Sequence, residues 1–172
     1  MSIPSSNDTN AQDAQPVYDV FLSHNSNDKP HVEELAVRLQ NEEMHQPFLD
    51  KWHLIPGEAW QEELEEALDQ SRTCAVFLGP SGLGAWHTEE MRSALDERAK
   101  NRSFRVIPVL LPGANPQDNK TLPRFLRRLT WVDFRGGLDD VEAFRSLVAG
   151  IRGVARGSGI TGIPPKTDRK ST

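Results

Sequence analysis

Apolar runs of strand length alternate along the chain with stretches whose apolar residues recur at helical spacing. Val17 to Leu22 is strand-like, and Val32, Leu35, Ala36 and Leu39 then line one face of a helix, with Asn27 or Asp28 placed to cap its start. Pro47 to Asp50 predicts a short strand before a loop that ends at Pro56-Gly57. In the following segment Trp60, Leu64, Ala67 and Leu68 share one stripe. Cys74 to Leu78 is apolar at every position, the pattern of a parallel strand covered on both faces, and it stops at Gly79-Pro80. A helix from about Trp86 turns Met91, Ala94 and Leu95 inward. Val106 to Leu111 is another buried strand, in which Pro108 removes a ladder donor and predicts a distorted or bulged position. Thr130 to Phe134 supplies a last short strand, and Val141, Phe144, Val148 and Ile151 form the stripe of a closing helix.

Strict alternation of strands and helices predicts an α/β fold: a doubly wound, flavodoxin-like, five-stranded parallel sheet with helices on both faces and right-handed crossovers. Residues 1–16 are polar and aperiodic, and residues 155–172 combine several glycines and Pro164-Pro165 with scattered basic residues. Both read as flexible tails, the second as a possible linker, around one domain at 17–154. In such sheets ligands sit beyond the carboxyl ends of the strands. That directs attention to Ser23-His24, Asp50 to Gly57, Gly79 to Gly84 and Leu111 to Asn115.

A chain of 172 residues fits one domain able to bury about two-thirds of its unfolded surface, so no covalent staple is needed. The single cysteine, Cys74, rules out a disulfide within the chain and a cysteine-based metal cluster, and is compatible with a reducing cytoplasm. With no basic and apolar leader and no run of about 18 apolar residues, a soluble cytoplasmic protein without a membrane partner is expected. The net charge of −5 gives no electrostatic basis for binding nucleic acid. Glu58, Glu62, Glu63, Glu65, Glu66 and Asp69 read as a solvated helix face.

Several chemistries lack their motifs. There is no G-x-G-x-x-G after the first strand and no G-x-x-x-x-G-K-[ST], so a standard dinucleotide or P-loop cradle is absent. The third strand ends in Leu78-Gly79-Pro80, where a phosphoacceptor receiver would carry an aspartate. His24, His31, His45, His53 and His87 show no ligand spacing, and no metal or bound cofactor is expected.

Three segments resemble the signatures of the Toll/interleukin-1 receptor (TIR) domain family. Tyr18-Asp19-Val20-Phe21-Leu22-Ser23-His24 is similar to the first box, and Asp50 to Gly57, with its Pro-Gly turn, to the second. Trp86 to Glu90 matches the W-x-x-x-E pattern. The resemblance runs from Val17 to about Val154, and its style is that of bacterial TIR domains. The Phe-Trp pair that forms the third box of animal receptor tails is not visible near the final helix.

Glu90 stands out on spacing alone. On a helix, Trp86, Glu90 and Ala94 fall on one stripe, which sets the carboxylate between an indole and a small residue at the edge of the inward face. It serves either as a functional carboxylate or as the partner of a nearby backbone amide, while Glu89 with Arg92 reads as a surface ion pair. The resemblance implies that the chain cleaves NAD, its substrate, between nicotinamide and ribose, with Glu90 as the catalytic carboxylate. The products would be nicotinamide and ADP-ribose or a cyclised form of it. Ser23, His24, Asp50, Trp52 and Trp86 would contact NAD, and the Lys51 to Gly57 loop would carry homotypic TIR-TIR contacts. Each has a plainer alternative: capping for Ser23 and His24, cover for its own helix for Trp52, and packing against the sheet for Trp86. The competing reading of the whole chain is a TIR scaffold that signals, or subverts host signalling, by homotypic assembly without turnover.

Overall fold

The computed structural model describes residues 17–43, 45–49, 56–57, 59–82, 89–101, 103–115, 122 and 124–155, with residues 60, 61, 89–92 and 94 described by backbone alone. Five strands form one sheet: β1 (Val20–Ser23), β2 (Pro47–Phe48), β3 (Thr73–Leu78), β4 (Arg105–Leu110) and β5 (Val132–Asp133). All are parallel, in the order β2-β1-β3-β4-β5. Between and after them run α1 (Lys29–Glu42), α2 (Trp60–Asp69), α3 (Glu89–Ala99), the one-turn α4 (Arg124–Arg127) and α5 (Val141–Arg152). Among the described residues no helix is long and apolar enough to cross a membrane.

Strand alternation divides the core into two layers. Val20, Leu22, Ala75, Phe77, Ile107 and Val109 face α1 and α5. Phe21, Cys74, Val76, Leu78, Val106 and Leu110 face the side covered by α2, α3 and α4. Because β3 is buried at all six positions, both layers depend on it. A side chain such as Phe77 or Leu78 contributes on the order of 2 kcal/mol by burial.

Local chemistry marks the starts of α1 and α5. Pro30 occupies the first turn of α1, where a missing amide proton costs nothing. Asp140 caps α5 by accepting from the amides of Glu142 (3.0 Å) and Ala143 (3.1 Å). Arg105 holds the other end of α5, donating from Nε to the Gly150 carbonyl at 2.9 Å. Arg38 of α1 lies 3.9 Å over the Phe144 ring and donates to the Leu138 carbonyl, which locks α1 against the start of α5.

Three expectations are corrected. The first concerns Pro108, which causes no bulge: register with β3 is continuous from Thr73↔Arg105 through Val76↔Pro108 to Leu78↔Leu110. The Leu110 carbonyl accepts from Phe134, so residues of that parity in β4 point their amides toward β5. The Pro108 nitrogen therefore faces a stretch before β5 begins at Val132, where no donor is wanted. The second concerns Val141, which is 63% exposed at the first position of α5. The inward stripe is instead Ala143, Phe144, Leu147, Val148 and Ile151. The third concerns β1, which starts at Val20 rather than Val17. Before it, Tyr18 makes one bridge to Ser71, and the Asp19 carboxylate accepts from the Gln46 amide at 2.7 Å to tie β1 to the start of β2. The first half of the first signature box is thus structural.

Candidate functional site

The strand order reverses between β1 and β3: α1 leaves toward one face of the sheet and α3 toward the other, so a crevice opens between the two strand exits. Ser23 ends β1, buried and in register with Val76. His24 follows, buried, with its Nδ1 3.0 Å from the Leu22 carbonyl. A carbonyl only accepts, so Nδ1 carries the proton in the neutral ring and Nε2 is left as an acceptor.

Capping of the next turn falls to a residue that sequence reasoning did not single out. The Asn25 side chain accepts from the Asn27 amide at 3.0 Å, and its carbonyl accepts from the Asp28 amide at 2.9 Å, closing a 3-10 turn over Ser26–Asp28. The same bond occupies the Asn27 amide, one of the donors that the first βα turn would offer to a phosphate. Asp28 stands at the N-cap position of α1, yet its side chain makes no capping bond.

Asp28 is buried at 3% exposure, and among the described residues its Oδ2 has no hydrogen-bond partner. Burial raises its pKa above the ordinary carboxylate range, opposed by the nearby charges of His31 and His24. The carboxyl sits against Gly79, the first residue past β3, so closely that any Cβ there would collide with both carboxyl oxygens. Asn25 Nδ2 donates to the Ser81 carbonyl and Asn27 Nδ2 to the Ser81 hydroxyl, each at 3.3 Å. Gly82 turns back to bond the Gly79 carbonyl at 3.2 Å. From β4, the Leu111 amide donates to the Leu78 carbonyl, and Gly113 packs on the Pro80 ring.

Three of the four stretches named from the sequence thus meet at one edge of the sheet: Ser23-His24, Gly79 to Gly82, and Leu111 to Asn115. Glu90 lies in the first turn of α3, the helix that follows β3. Its side chain, and Asp50, Trp52, Trp86 and the loop from Lys51 to Ile55, lie outside the described residues. The Pro56-Gly57 turn of the second box is present, with Gly57 at φ 94°, a conformation that favours glycine. No local signal marks Asp28 as more than a capping residue; Gly79, which buries it, is distant along the chain. Among the described residues no group of three or more His, Cys, Asp or Glu gathers in a way that could hold a metal ion.

A groove of about 900 Å³ lies elsewhere, between the amino-terminal half of β4, α4 and the end of α5, lined by Phe104, Val106, Phe125 and Trp131. It belongs to the wrong end of β4 for the ligand position that a doubly wound sheet favours.

Comparison with known proteins bears on the family and the fold. The family model described as TIR domain matches residues 20–148, from the start of β1 into α5. The chain is 27% identical over 133 residues to a stimulator of interferon genes protein of Magallana gigas, a match that covers 74% of this chain and 31% of that protein. Its fold resembles the TIR domain of a Toll-related receptor from Hydra magnipapillata (TM-score 0.57, 22% identity, 78% of this chain and 98% of that one). It also resembles a metazoan TIR-STING receptor from C. gigas, solved in complex with 2',3'-cGAMP (TM-score 0.64, 23% identity, 80% of this chain and 40% of that one). The chain thus spans about a third of the length of the curated relative. With the five-stranded order and a family match from residue 20 to residue 148, the chain belongs to the TIR domain family.

Proposed function

We propose that this chain is a TIR enzyme that cleaves NAD between nicotinamide and ribose, releasing nicotinamide and ADP-ribose or a cyclised form of it, in bacterial defence or stress signalling. The observation that carries the reading is the position of Glu90. It occupies the first turn of α3, on the helix that leaves the central strand at the switch point, and completes the W-x-x-x-E pattern. The chemistry asks few catalytic groups of the protein. Nicotinamide departs from the pyridinium as a neutral molecule, so no general acid is required, while positive charge grows on the ribose. One carboxylate stabilises that charge and bonds the ribose hydroxyls, as carboxylates do in glycoside hydrolysis, and the ribosyl cation is captured by water, which releases a proton to leave ADP-ribose, or by a nitrogen of the adenine ring to give the cyclised form.

In this reading Glu90 is the catalytic group. Ser23 and His24 line the crevice at the end of β1, Trp86 and Trp52 shape or stack against the substrate, and Asp50 contacts it from the end of β2. The bacterial setting rests on the style of the first two boxes and the missing Phe-Trp pair. The Lys51 to Gly57 loop, packed against a second copy, would complete the site and exclude water.

A second reading, a scaffold working by homotypic assembly without turnover, is favoured by the similar structures, which are a receptor domain and a receptor. Incubating the protein at high concentration with NAD and following nicotinamide separates the two. Release that is lost in Glu90→Ala supports the enzyme, whereas assembly without release supports the scaffold.

A further inference from the structure

Asp28 sits where the two strand exits meet, in surroundings that cost stability. Its carboxyl is buried with one oxygen unpartnered among the described residues, and the task its position suggests, capping α1, is not performed. What the carboxyl does make is a contact across the crevice, on the Cα of Gly79. From the same turn, Asn25 and Asn27 reach Ser81. These three side chains tie the first βα turn to the segment that leaves β3 and leads on to α3 and Glu90.

Resting on the reading that the crevice takes NAD, we propose that Asp28 is a positioning residue: seated on Gly79, it sets the spacing between the Ser23–Asp28 turn and the Gly79–Gly82 exit that a dinucleotide must bridge. Shape carries this role. Asp28→Asn keeps the volume and leaves KM for NAD within about twofold of wild type, whereas Asp28→Ala lets the exits shift and raises KM about tenfold, with kcat changed much less. Gly79→Ala attacks the same contact from the other side and raises KM with Asp28 intact. Because both substitutions break one contact, Asp28→Ala combined with Gly79→Ala raises KM by less than the product of the single effects.

The test measures kcat and KM for nicotinamide release, and equilibrium binding of ADP-ribose, for wild type and the four variants well below each melting temperature. Asp28→Ala that melts earlier but keeps wild-type KM and ADP-ribose affinity overturns the proposal, since a purely structural role predicts that result. Raised KM in Asp28→Asn overturns it too, by making charge the active property. If the wild type binds ADP-ribose but releases no nicotinamide, the enzyme reading fails and the ADP-ribose affinities alone decide the role of Asp28. If it neither binds nor cleaves, both fall.

Discussion

Cys74, the only cysteine, reports directly on the central strand. It is fully buried, in register with Phe21 of β1 on one side and Val106 of β4 on the other, and burial pushes its thiol far above the ordinary range. A thiol reagent needs the thiolate and room to approach. Since β3 is bonded on both edges and covered on both faces, exposing Cys74 requires taking the sheet apart, which is global rather than local opening. For a domain stable by roughly 5–10 kcal/mol, and about 1.4 kcal/mol per tenfold in an equilibrium constant, labelling should be slower than in the unfolded chain by roughly several thousandfold or more. The assay mixes the protein with a chromogenic aromatic disulfide at pH 8 across a urea series below the unfolding transition. The logarithm of the rate should rise with urea with the same slope as the global unfolding free energy. A native rate slowed by less than about a hundredfold, or one indifferent to urea, would refute the placement of Cys74 in a doubly covered central strand.

Glu90→Ala should leave the far-ultraviolet circular dichroism intact and reduce nicotinamide release by roughly a hundredfold or more. Glu90→Gln should be similarly impaired, and wild-type turnover in either would remove Glu90 from the mechanism. Activity per protomer should rise with protein concentration if the Lys51 to Gly57 loop completes the site in a neighbour; Trp52→Glu or Ile55→Glu should then lower turnover and sedimentation-detected association together, whereas constant specific activity from a monomer would rule this out. His45 is buried, and desolvation holds its pKa below the ordinary value of 6.5. Protons therefore bind the unfolded chain first, and its contribution to stability should fall as pH drops from neutrality through 6.5 toward the folded value, a slope that His45→Gln flattens in a melting series. Asp28 behaves oppositely: its raised folded pKa adds stability in acid that is lost as pH rises through the folded value, so Asp28→Asn should melt above wild type at neutral pH and converge with it in acid.

The order of elements, the parallel sheet and the two-sided burial of Cys74 to Leu78 were legible in the sequence, because burial on both faces leaves no polar position in a strand and burial on one face leaves a helical stripe. Which end of the sheet to search followed from the same alternation, because ligands of a doubly wound sheet sit beyond the carboxyl ends of its strands; that the order reverses between β1 and β3 is a matter of strand pairing. Signature segments added the family. What escaped the sequence depends on neighbours far along the chain. Pro108 is harmless because its nitrogen faces the gap before β5, which only the start of β5 at Val132 decides. Val141 is exposed because α5 begins with it, one residue after the Asp140 cap, before the inward stripe takes hold. Asp28 looked like an ordinary capping aspartate; its side chain caps nothing, Asn25 caps only the 3-10 turn before α1, and the bare Cα of Gly79 provides the space in which the carboxyl is buried. Periodicity records which face of an element is covered, but the identity of the covering group is a pairwise fact that arises only when β1 and β3 lie side by side.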